Sequence, residues 1–157
     1  LEKMGCKVKW NGMSVTVKGP ERLEGGVFNL NTIPDTLPAL SVAAAFAYGD
    51  TILGNVEQAR IKETDRIQAL INECKTLGFV LREVESGVLS WDGEKCVPAD
   101  EIVIKTYEDH RMAMAFSPAV IQFGSMIIDE PDVVSKSYPS FWQEFQKVLP
   151  CTIDIID

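Results

Sequence analysis

The chain repeats one pattern of predicted elements with a period of 73 to 74 residues, from Gly5 to Gly78 and from Asp35 to Asp109. A sequence that repeats at such a spacing folds as copies of one unit that pack against each other. After each glycine, apolar and polar residues alternate on both sides of a tight turn, which is typical of a β-hairpin. After each aspartate, an apolar stretch ends at a glycine and a strand-like segment follows. Such a stretch predicts a buried helix followed by a strand.

A second helix completes each copy, and the sequence predicts it over residues 63–77 in the first copy and 139–149 in the second. The predicted order is therefore hairpin, helix, strand, helix, in copies at about residues 5–77 and 78–149. The helix that includes residues 39–47 is apolar nearly all round, which is typical of a helix buried on every side. We predict an α/β (α+β) fold in which sheets wrap around buried helices, in one compact body.

The balance of charge limits what the chain can bind. Hydrophobic residues make up 46% and charged residues 24% of the sequence, as in an ordinary soluble globular protein, and the formal net charge is −8. An acidic chain is a poor partner for nucleic acid or an anionic membrane, so a bound anion must be met by a local cluster of Lys and Arg. No apolar run reaches the ~20 residues that span a bilayer, and no signal peptide is visible. We predict no nucleic-acid partner and no membrane partner.

The cysteines and tryptophans receive no chemical role. The four cysteines are widely spaced, without a C-x-x-C pair, and the chain has one histidine. This pattern argues against a zinc site and a disulfide framework, and it favours a reducing compartment, which we take to be the cytoplasm. The tryptophans are predicted to pack in the core: Trp10, Trp91 and Trp142.

The segment Arg60-Ile61-Lys62-Glu63-Thr64-Asp65-Arg66 places charge at the start of a predicted helix. From Ile67 the apolar residues recur at helical spacing, and Glu63 falls on the same stripe one turn earlier, with Arg66 beside it. A carboxylate in that position has a raised pKa unless it is paired, and a raised pKa suits a general acid near neutral pH. The first helical turn, with Lys62 and Arg66, also favours a bound anion. The alternative is a surface helix with ordinary i,i+3 and i,i+4 ion pairs.

Other helix entrances carry charge as well. Asp109-His110-Arg111 stands at the start of the helix predicted over residues 112–122, where the aspartate suits an N-cap. Asp35 occupies the equivalent place in the first copy, and Lys136, just before the last helix, is the repeat partner of Lys62. Repeat symmetry would bring these ends to one rim, which is the pattern of a phosphate- or carboxylate-clamping site. The alternative is that the aspartates only cap helices and the remaining charges are incidental.

Together these segments resemble the 3-phosphoshikimate 1-carboxyvinyltransferase (EPSP synthase) family. The motifs stand in the family's order: Ile33-Pro34-Asp35, Arg60 to Ile67 with Glu73 and Leu77-Gly78 downstream, Tyr107 to Ala115, and Lys136 to Pro139. The resemblance covers residues 1 to about 149 and corresponds to somewhat over the last third of the family's chain. The opening residues, Leu1 to Gly5, read as the end of a helix with its glycine cap. We therefore expect residues 1–157 to be the C-terminal part of an enolpyruvyltransferase, without its N-terminal domain.

The resemblance implies a fold of two domains, each an inside-out barrel of three βαβαββ units. Two of these units would be present in this chain. It implies an enzyme of the shikimate pathway, and so of chorismate and aromatic amino acid biosynthesis. That enzyme moves the enolpyruvyl group of phosphoenolpyruvate onto the 5-hydroxyl of shikimate 3-phosphate by addition and elimination, and it releases phosphate. It needs no cofactor or metal, is the target of the inhibitor glyphosate, and is expected to be monomeric at full length.

By resemblance, each candidate residue receives a role. Asp35 would bind substrate hydroxyls and act as base on the 5-hydroxyl, and Glu63 would move the proton at the methylene carbon with Lys62 beside it. The other candidates would hold or orient the substrates: Arg66, Arg111 and Lys136 on phosphoenolpyruvate, His110 close to it as a catalytic residue, and Gln58 on the shikimate phosphate. Gln58 stands where the family often has Asn. Further departures are Ala59, Thr76, Pro38 and the unmatched tail 151–157.

Two alternatives remain open. The related enolpyruvyltransferase that acts on UDP-N-acetylglucosamine shares the fold and the donor, although the motifs from Lys62 to Arg66 and from Asp109 to Arg111 resemble the shikimate branch. The second alternative is a non-catalytic domain of the same fold, against which the retained Asp35 and Glu63 argue. Because the family's other domain supplies further contacts to both substrates, we expect the 157-residue chain alone to have no transferase activity.

Overall fold

The computed structural model describes residues 1–154, so the last three residues of the tail 151–157 lie outside the described residues. The strands are β1 Lys7–Asn11, β2 Ser14–Lys18, β3 Glu24–Asn29, β4 Tyr48–Gly54, β5 Arg82–Glu85, β6 Val88–Trp91, β7 Val103–Ile104 and β8 Ile127–Ile128. The α-helices are α1 Leu37–Ala45, α2 Arg66–Thr76, α3 His110–Phe116, α4 Val120–Phe123 and α5 Phe141–Val148. Short 3-10 helices connect them at Glu2–Met4, Pro34–Thr36, Glu57–Ile61, Ser117–Ala119 and Pro131–Lys136.

The largest sheet has four strands in the order β3-β4-β6-β5. β3 and β4 run parallel, with α1 as the crossover between them, while β6 pairs antiparallel with both β4 and β5. α2 connects β4 to β5, so the chain from β3 to β6 forms one complete βαβαββ unit. The predicted α/β class and its repeating unit are therefore confirmed.

The second copy begins the same order of elements again. β7, α3, β8 and α5 follow one another as β3, α1, β4 and α2 do, and β7 pairs parallel with β8. The hairpin of β1 and β2 corresponds to that of β5 and β6, the last two strands of a unit. Both predicted hairpins and the strands β4 and β8 are confirmed. The pattern missed β3, whose two glycines hide any alternation, and β7, which has only two residues.

All four predicted helices have different bounds. The helix expected to include residues 39–47 runs from Leu37 to Ala45. The helix expected over residues 63–77 begins only at Arg66, because Asp65 caps it by accepting a hydrogen bond from the Gln68 N–H at 3.1 Å. The stretch 112–122 is divided into α3, a 3-10 turn and α4, because Pro118 has no N–H to continue the helical ladder. The last helix is shorter than the predicted 139–149 by two residues at its start and one at its end.

The hydrophobic core lies between the four-stranded sheet and the helices. α1 contributes Leu37, Val42 and Ala45 to this core, so the prediction of a buried helix is confirmed. Trp91 is also buried, as predicted. The core role predicted for Trp10 is wrong. In the structure of residues 1–154, its side chain lies on the hairpin of β1 and β2 and is 73% exposed.

Trp142 is half-buried on α5, where its ring packs against Phe141 and Phe145 and its Nε1–H donates to the Pro131 carbonyl at 3.0 Å. Among residues 1–154, no helix is both long enough and apolar enough to cross a membrane.

Candidate active site

The starts of three helices meet at one end of the fold and bring the predicted charged residues together. The turn before α1 carries Asp35, and the segment between β4 and α2 carries Lys62 and Glu63. α2 opens on Arg66, and α3 opens with His110 and Arg111 behind the capping Asp109. Lys136 ends the 3-10 turn that follows β8. The rim expected from repeat symmetry is therefore present.

Arg66 is the centre of this cluster, and its side chain is only 1% exposed. Its Nε donates to Asp109 Oδ2 at 2.6 Å, and its Nη1 donates to Asp35 Oδ1 at 2.9 Å. Nη2 donates to Glu63 Oε2 at 2.8 Å and lies 3.3 Å from Asp109 Oδ1. One guanidinium thus joins three carboxylates that come from three separate elements. Arginine suits this place because its planar fork offers five donors in fixed directions.

Asp109 is fully buried and has two tasks. Its carboxylate binds the Arg66 guanidinium and also accepts the Arg111 N–H at 2.8 Å, which caps α3. The predicted N-cap is confirmed. The sequence did not indicate that the same carboxylate is the buried counter-ion of Arg66. A buried charge of this kind is tolerated because it is both paired and hydrogen-bonded.

Asp35 faces solvent, with its side chain 45% exposed. Besides Arg66, it lies 3.4 Å from the Lys62 Nζ and 3.4 Å from the Arg111 Nη2. Partial burial raises the pKa of Asp35, but the positive charges of Arg111, Arg66 and Lys62 outweigh it and hold the pKa below its ordinary 3.8. Asp35 is therefore ionised at neutral pH and stands between three cations.

Glu63 does not lie on the buried stripe of a helix, because α2 starts three residues later. Its Oε2 accepts from Arg66, and its Oε1 accepts from the Lys136 Nζ at 3.0 Å. The N–H of Glu63 itself and the Lys136 ammonium lower the pKa of Glu63 from 4.5 to about 2. The carboxylate is paired, so the exception to the expected rise applies and the pKa is lowered instead. At the start of α2, the charged residue on the buried face is Arg66.

His110 lies in the first turn of α3 with its imidazole almost fully buried. Its Nδ1 has no hydrogen-bond partner within residues 1–154 and is 3.9 Å from Asp109 Oδ1. Burial lowers the pKa of His110 below 6.5, with the Arg111 charge acting in the same direction. The neutral imidazole is thus the main form near pH 7, and it can act as a hydrogen-bonding group.

The cluster as a whole can bind anions. It holds four cations, Lys62, Arg66, Arg111 and Lys136, against three carboxylates, Asp35, Glu63 and Asp109. Lys136 is 60% exposed, and Lys62 and Arg111 are also open to solvent in part. An acidic chain that concentrates positive charge at one rim offers a local site for phosphate or carboxylate groups.

A comparison with protein families gives this geometry its context. Residues 1–145 match the family model described as EPSP synthase (3-phosphoshikimate 1-carboxyvinyltransferase). The chain belongs to the EPSP synthase family.

Individual relatives agree with this assignment. The chain is 44% identical to a 3-phosphoshikimate 1-carboxyvinyltransferase of Bacteroides fragilis over 143 residues, which are 91% of this chain and 33% of that protein. It is 38% identical to the chloroplastic 3-phosphoshikimate 1-carboxyvinyltransferase of Arabidopsis thaliana over 155 residues, covering 94% of this chain and 29% of that protein. The solved structure of EPSP synthase from Acinetobacter baumannii matches with a TM-score of 0.79 at 28% identity, covering 94% of this chain and 37% of that one. The chain thus spans about a third of the curated relatives that it matches.

The candidate residues of this EPSP synthase family member do not all enter the cluster. Asp35, Lys62, Glu63, Arg66, Arg111 and Lys136 are joined by ion pairs, and His110 adjoins them through Asp109. Gln58 is half-buried in the 3-10 turn Glu57–Ile61, and no hydrogen bond within residues 1–154 joins its side chain to the cluster.

The true start of α2 had a signal in the sequence. Asp65 is followed three residues later by Gln68, and this spacing is typical of a helix N-terminus.

Proposed function

We propose that the full-length protein containing this chain transfers the enolpyruvyl group of phosphoenolpyruvate to the 5-hydroxyl of shikimate 3-phosphate and releases phosphate. Membership of the EPSP synthase family supports the proposal. The observation that carries it is the convergence of four cations on two ionisable carboxylates at one rim: Lys62, Arg66, Arg111 and Lys136 around Asp35 and Glu63.

The cluster suits two substrates that both carry phosphate and carboxylate groups. In the structure, the carboxylates of Asp35 and Glu63 accept hydrogen bonds from Arg111, Arg66 and Lys136. A phosphate or carboxylate of a substrate can replace them, because it accepts the same charge-assisted hydrogen bonds. The exposed ends of Arg111 and Lys136 are the first donors that an incoming anion meets, and the buried Arg66 lies behind them.

The two carboxylates can then divide the proton transfers between them. In the addition step, the 5-hydroxyl oxygen bonds to the central carbon of phosphoenolpyruvate and gives its proton to the ionised Asp35. Glu63, carrying a proton, gives it to the methylene carbon. In the elimination step, the methylene carbon's added proton returns to Glu63, and the bond between the central carbon and the phosphate oxygen breaks. Phosphate then leaves with the proton that Asp35 had taken. Both residues end in their starting states, as a catalyst requires.

Glu63 needs a proton at the start of these steps, although its ion pairs and its own N–H hold its pKa at about 2 in the structure. The largest cause of that low pKa is the N–H of Glu63 itself, and Lys136 and Arg66, which pair with its two oxygens, lower the pKa further. When the anionic groups of the substrates take over these cations, the same carboxylate loses its stabilising charges and its pKa rises. Anion binding and proton loading of Glu63 are therefore coupled.

The full-length protein is the proposed enzyme, since the chain spans about a third of the length of its curated relatives. We expect further contacts to the substrates from the part of the full-length protein outside this chain. We expect the 157-residue chain alone to release no phosphate from the two substrates. Turnover by the isolated chain would contradict this part of the proposal.

The test is a phosphate-release assay on the full-length protein with phosphoenolpyruvate and either acceptor. We expect release with shikimate 3-phosphate and none with UDP-N-acetylglucosamine. Glu63→Ala should lower kcat by about 10²–10⁴-fold, the usual contribution of a positioned acid or base. Glu101→Ala, at an exposed carboxylate that forms no ion pair within residues 1–154, is the matched control. Unchanged turnover by Glu63→Ala would reject the assigned role, and release only with UDP-N-acetylglucosamine would reject the acceptor.

A further inference from the structure

The segment between β7 and α3 has an unusual backbone. Tyr107 and Glu108 are consecutive residues with φ of 55° and 56°, and neither is a glycine. The left-handed region is disfavoured for residues with a Cβ, so a pair of them persists only where the surroundings hold it. The very next residues are Asp109, His110 and Arg111 of the candidate active site. The conformation of this segment therefore decides where those side chains stand.

A buried carboxylate on α2 holds the segment. Glu73 Oε1 accepts the Tyr107 hydroxyl hydrogen bond at 2.7 Å, and Glu73 Oε2 accepts the Lys105 N–H at 3.1 Å. The Asp109 N–H closes the turn by donating to the Thr106 carbonyl at 2.9 Å. We call Glu73, with its bonds to Tyr107 and to the Lys105 N–H, the Glu73 clamp. Both carboxylate oxygens of a residue that is 3% exposed are thus engaged with one short segment.

The clamp and the active-site arginine belong to the same helix face. Glu73 follows Arg66 by seven residues, two turns of helix, so both side chains leave α2 on one side, about 10 Å apart along the axis. Arg66 binds Asp109 at one end of the segment, and Glu73 binds Lys105 and Tyr107 at the other. α2 therefore holds the segment at two points.

The equivalent segment of the first copy needs no such support. Ile33 and Pro34 precede Asp35 as Tyr107 and Glu108 precede Asp109, and neither has a positive φ. The left-handed pair and its clamp are thus particular to the second copy, the one that supplies His110 and Arg111.

We propose that Glu73 and Tyr107 are positioning residues that set the place of Arg111 and His110 relative to Arg66 and Asp35. The expected effects of these residues on substrate binding and turnover rest on the proposed function. The Arg111 guanidinium reaches Asp35 through two contacts of 3.4 Å, so a small shift of α3 breaks both. Neither Glu73 nor Tyr107 contacts Asp35, Glu63 or Lys136 through a hydrogen bond within residues 1–154, so their effect must pass through the segment.

The test uses Tyr107→Phe, Glu73→Gln and the double variant of the full-length protein. Tyr107→Phe should raise KM for phosphoenolpyruvate about tenfold, while kcat falls less than about threefold, because a hydrogen bond to a charged group is lost without touching the proton-transfer residues. In a double-mutant cycle, the double variant should lose less kcat/KM than the product of the two single losses, since both variants disrupt the hydrogen bond between the Tyr107 hydroxyl and Glu73 Oε1.

Two controls separate positioning from plain loss of stability. Tyr48→Phe removes an exposed hydroxyl that forms no hydrogen bond within residues 1–154, and it should leave KM unchanged. Leu89→Ala weakens the core away from the segment and should lower Tm without changing KM. If Tyr107→Phe lowers Tm but leaves KM unchanged, or if the losses of the two single variants multiply, the proposal is overturned.

Turnover by the wild-type protein is measured first, which keeps the two proposals distinct. An inactive wild-type protein contradicts the proposed function, and crystal structures of wild type and Tyr107→Phe then decide on the clamp. A displacement of Arg111 from Asp35 by about 1 Å or more, enough to matter in a site of this kind, supports it. An unchanged position overturns it.

Discussion

Asp35 and Asp109 occupy the same place in the two copies of the repeat, 74 residues apart, and both bind Arg66. Their surroundings differ completely. Asp109 is sealed between α2 and α3, where it caps a helix and neutralises a buried guanidinium. Asp35 is half-exposed and shared among three cations. The same position of the unit therefore carries a structural carboxylate, Asp109, in the second copy. In the first copy it carries a solvent-exposed carboxylate, Asp35, that a substrate can reach.

The difference shows how a repeat can build an asymmetric site. Both copies place a carboxylate in front of a buried helix, and a single arginine from the first copy binds both. Burial then decides the use of each carboxylate, because a group without access to solvent cannot meet a substrate. Lys62 and Lys136 also stand 74 residues apart, but both remain accessible to solvent, and they pair with Asp35 and Glu63 respectively.

The comparison of the two aspartates is tested most strongly by removing each charge in turn. Asp109→Asn leaves Arg66 as a buried, poorly compensated cation and should lower the free energy of unfolding by about 3–5 kcal/mol. Asp35→Asn weakens a solvent-screened pair and should cost about 1 kcal/mol or less. Urea unfolding of both variants measures the difference. Equal losses would show that exposure does not separate the two roles.

The two hairpins provide a second comparison at equivalent positions. Leu89 on β6 is buried in the core, while Val15 on β2, 74 residues earlier, is exposed. In the 157-residue chain, Leu89→Ala should therefore cost about 3 kcal/mol through lost burial and a residual cavity. Val15→Ala should cost about 0.5 kcal/mol or less, as a surface substitution does. Thermal unfolding of the two variants measures this, and a large loss at Val15 would mean that the hairpin of β1 and β2 is covered.

These comparisons also show what the sequence could predict. Alternation and the turn glycines predicted both hairpins, and the Asp before an apolar stretch predicted the cap of α3. The start of α2 was wrong by three residues, because apolar periodicity locates a helix face but not its cap. That error put Glu63 on the buried face in place of Arg66. The contact between Glu73 and Tyr107 joins residues 34 positions apart, and local patterns contain no signal for it.

Acid titration compares Glu63 with its repeat partner Ser137, which has no charge to titrate. The pKa of Glu63 is lowered from 4.5 to about 2 in the folded chain. A lowered pKa gives stability that is present above the unfolded value and is lost as pH falls through the folded value. Stability should therefore decline between pH 4.5 and about 2, and Glu63→Gln should remove about 1–2 kcal/mol of that decline after solvent screening. Unfolding free energies measured across this range test it, with Glu101→Gln as the control. An equal effect of both variants would contradict the pairing.

The smallest expected effect lies in the residues just before the two aspartates, where substitutions to glycine should have opposite signs. Glu108 is exposed and has a φ of 56°, so Glu108→Gly relieves left-handed strain and should raise the free energy of unfolding by up to about 1 kcal/mol. Pro34 restricts the unfolded chain, so Pro34→Gly should lower it by about 1 kcal/mol. Urea unfolding of both variants gives the two signs. A loss at both positions would mean that the Glu108 side chain stabilises its turn, and the contrast between a strained second copy and a relaxed first copy would then fail.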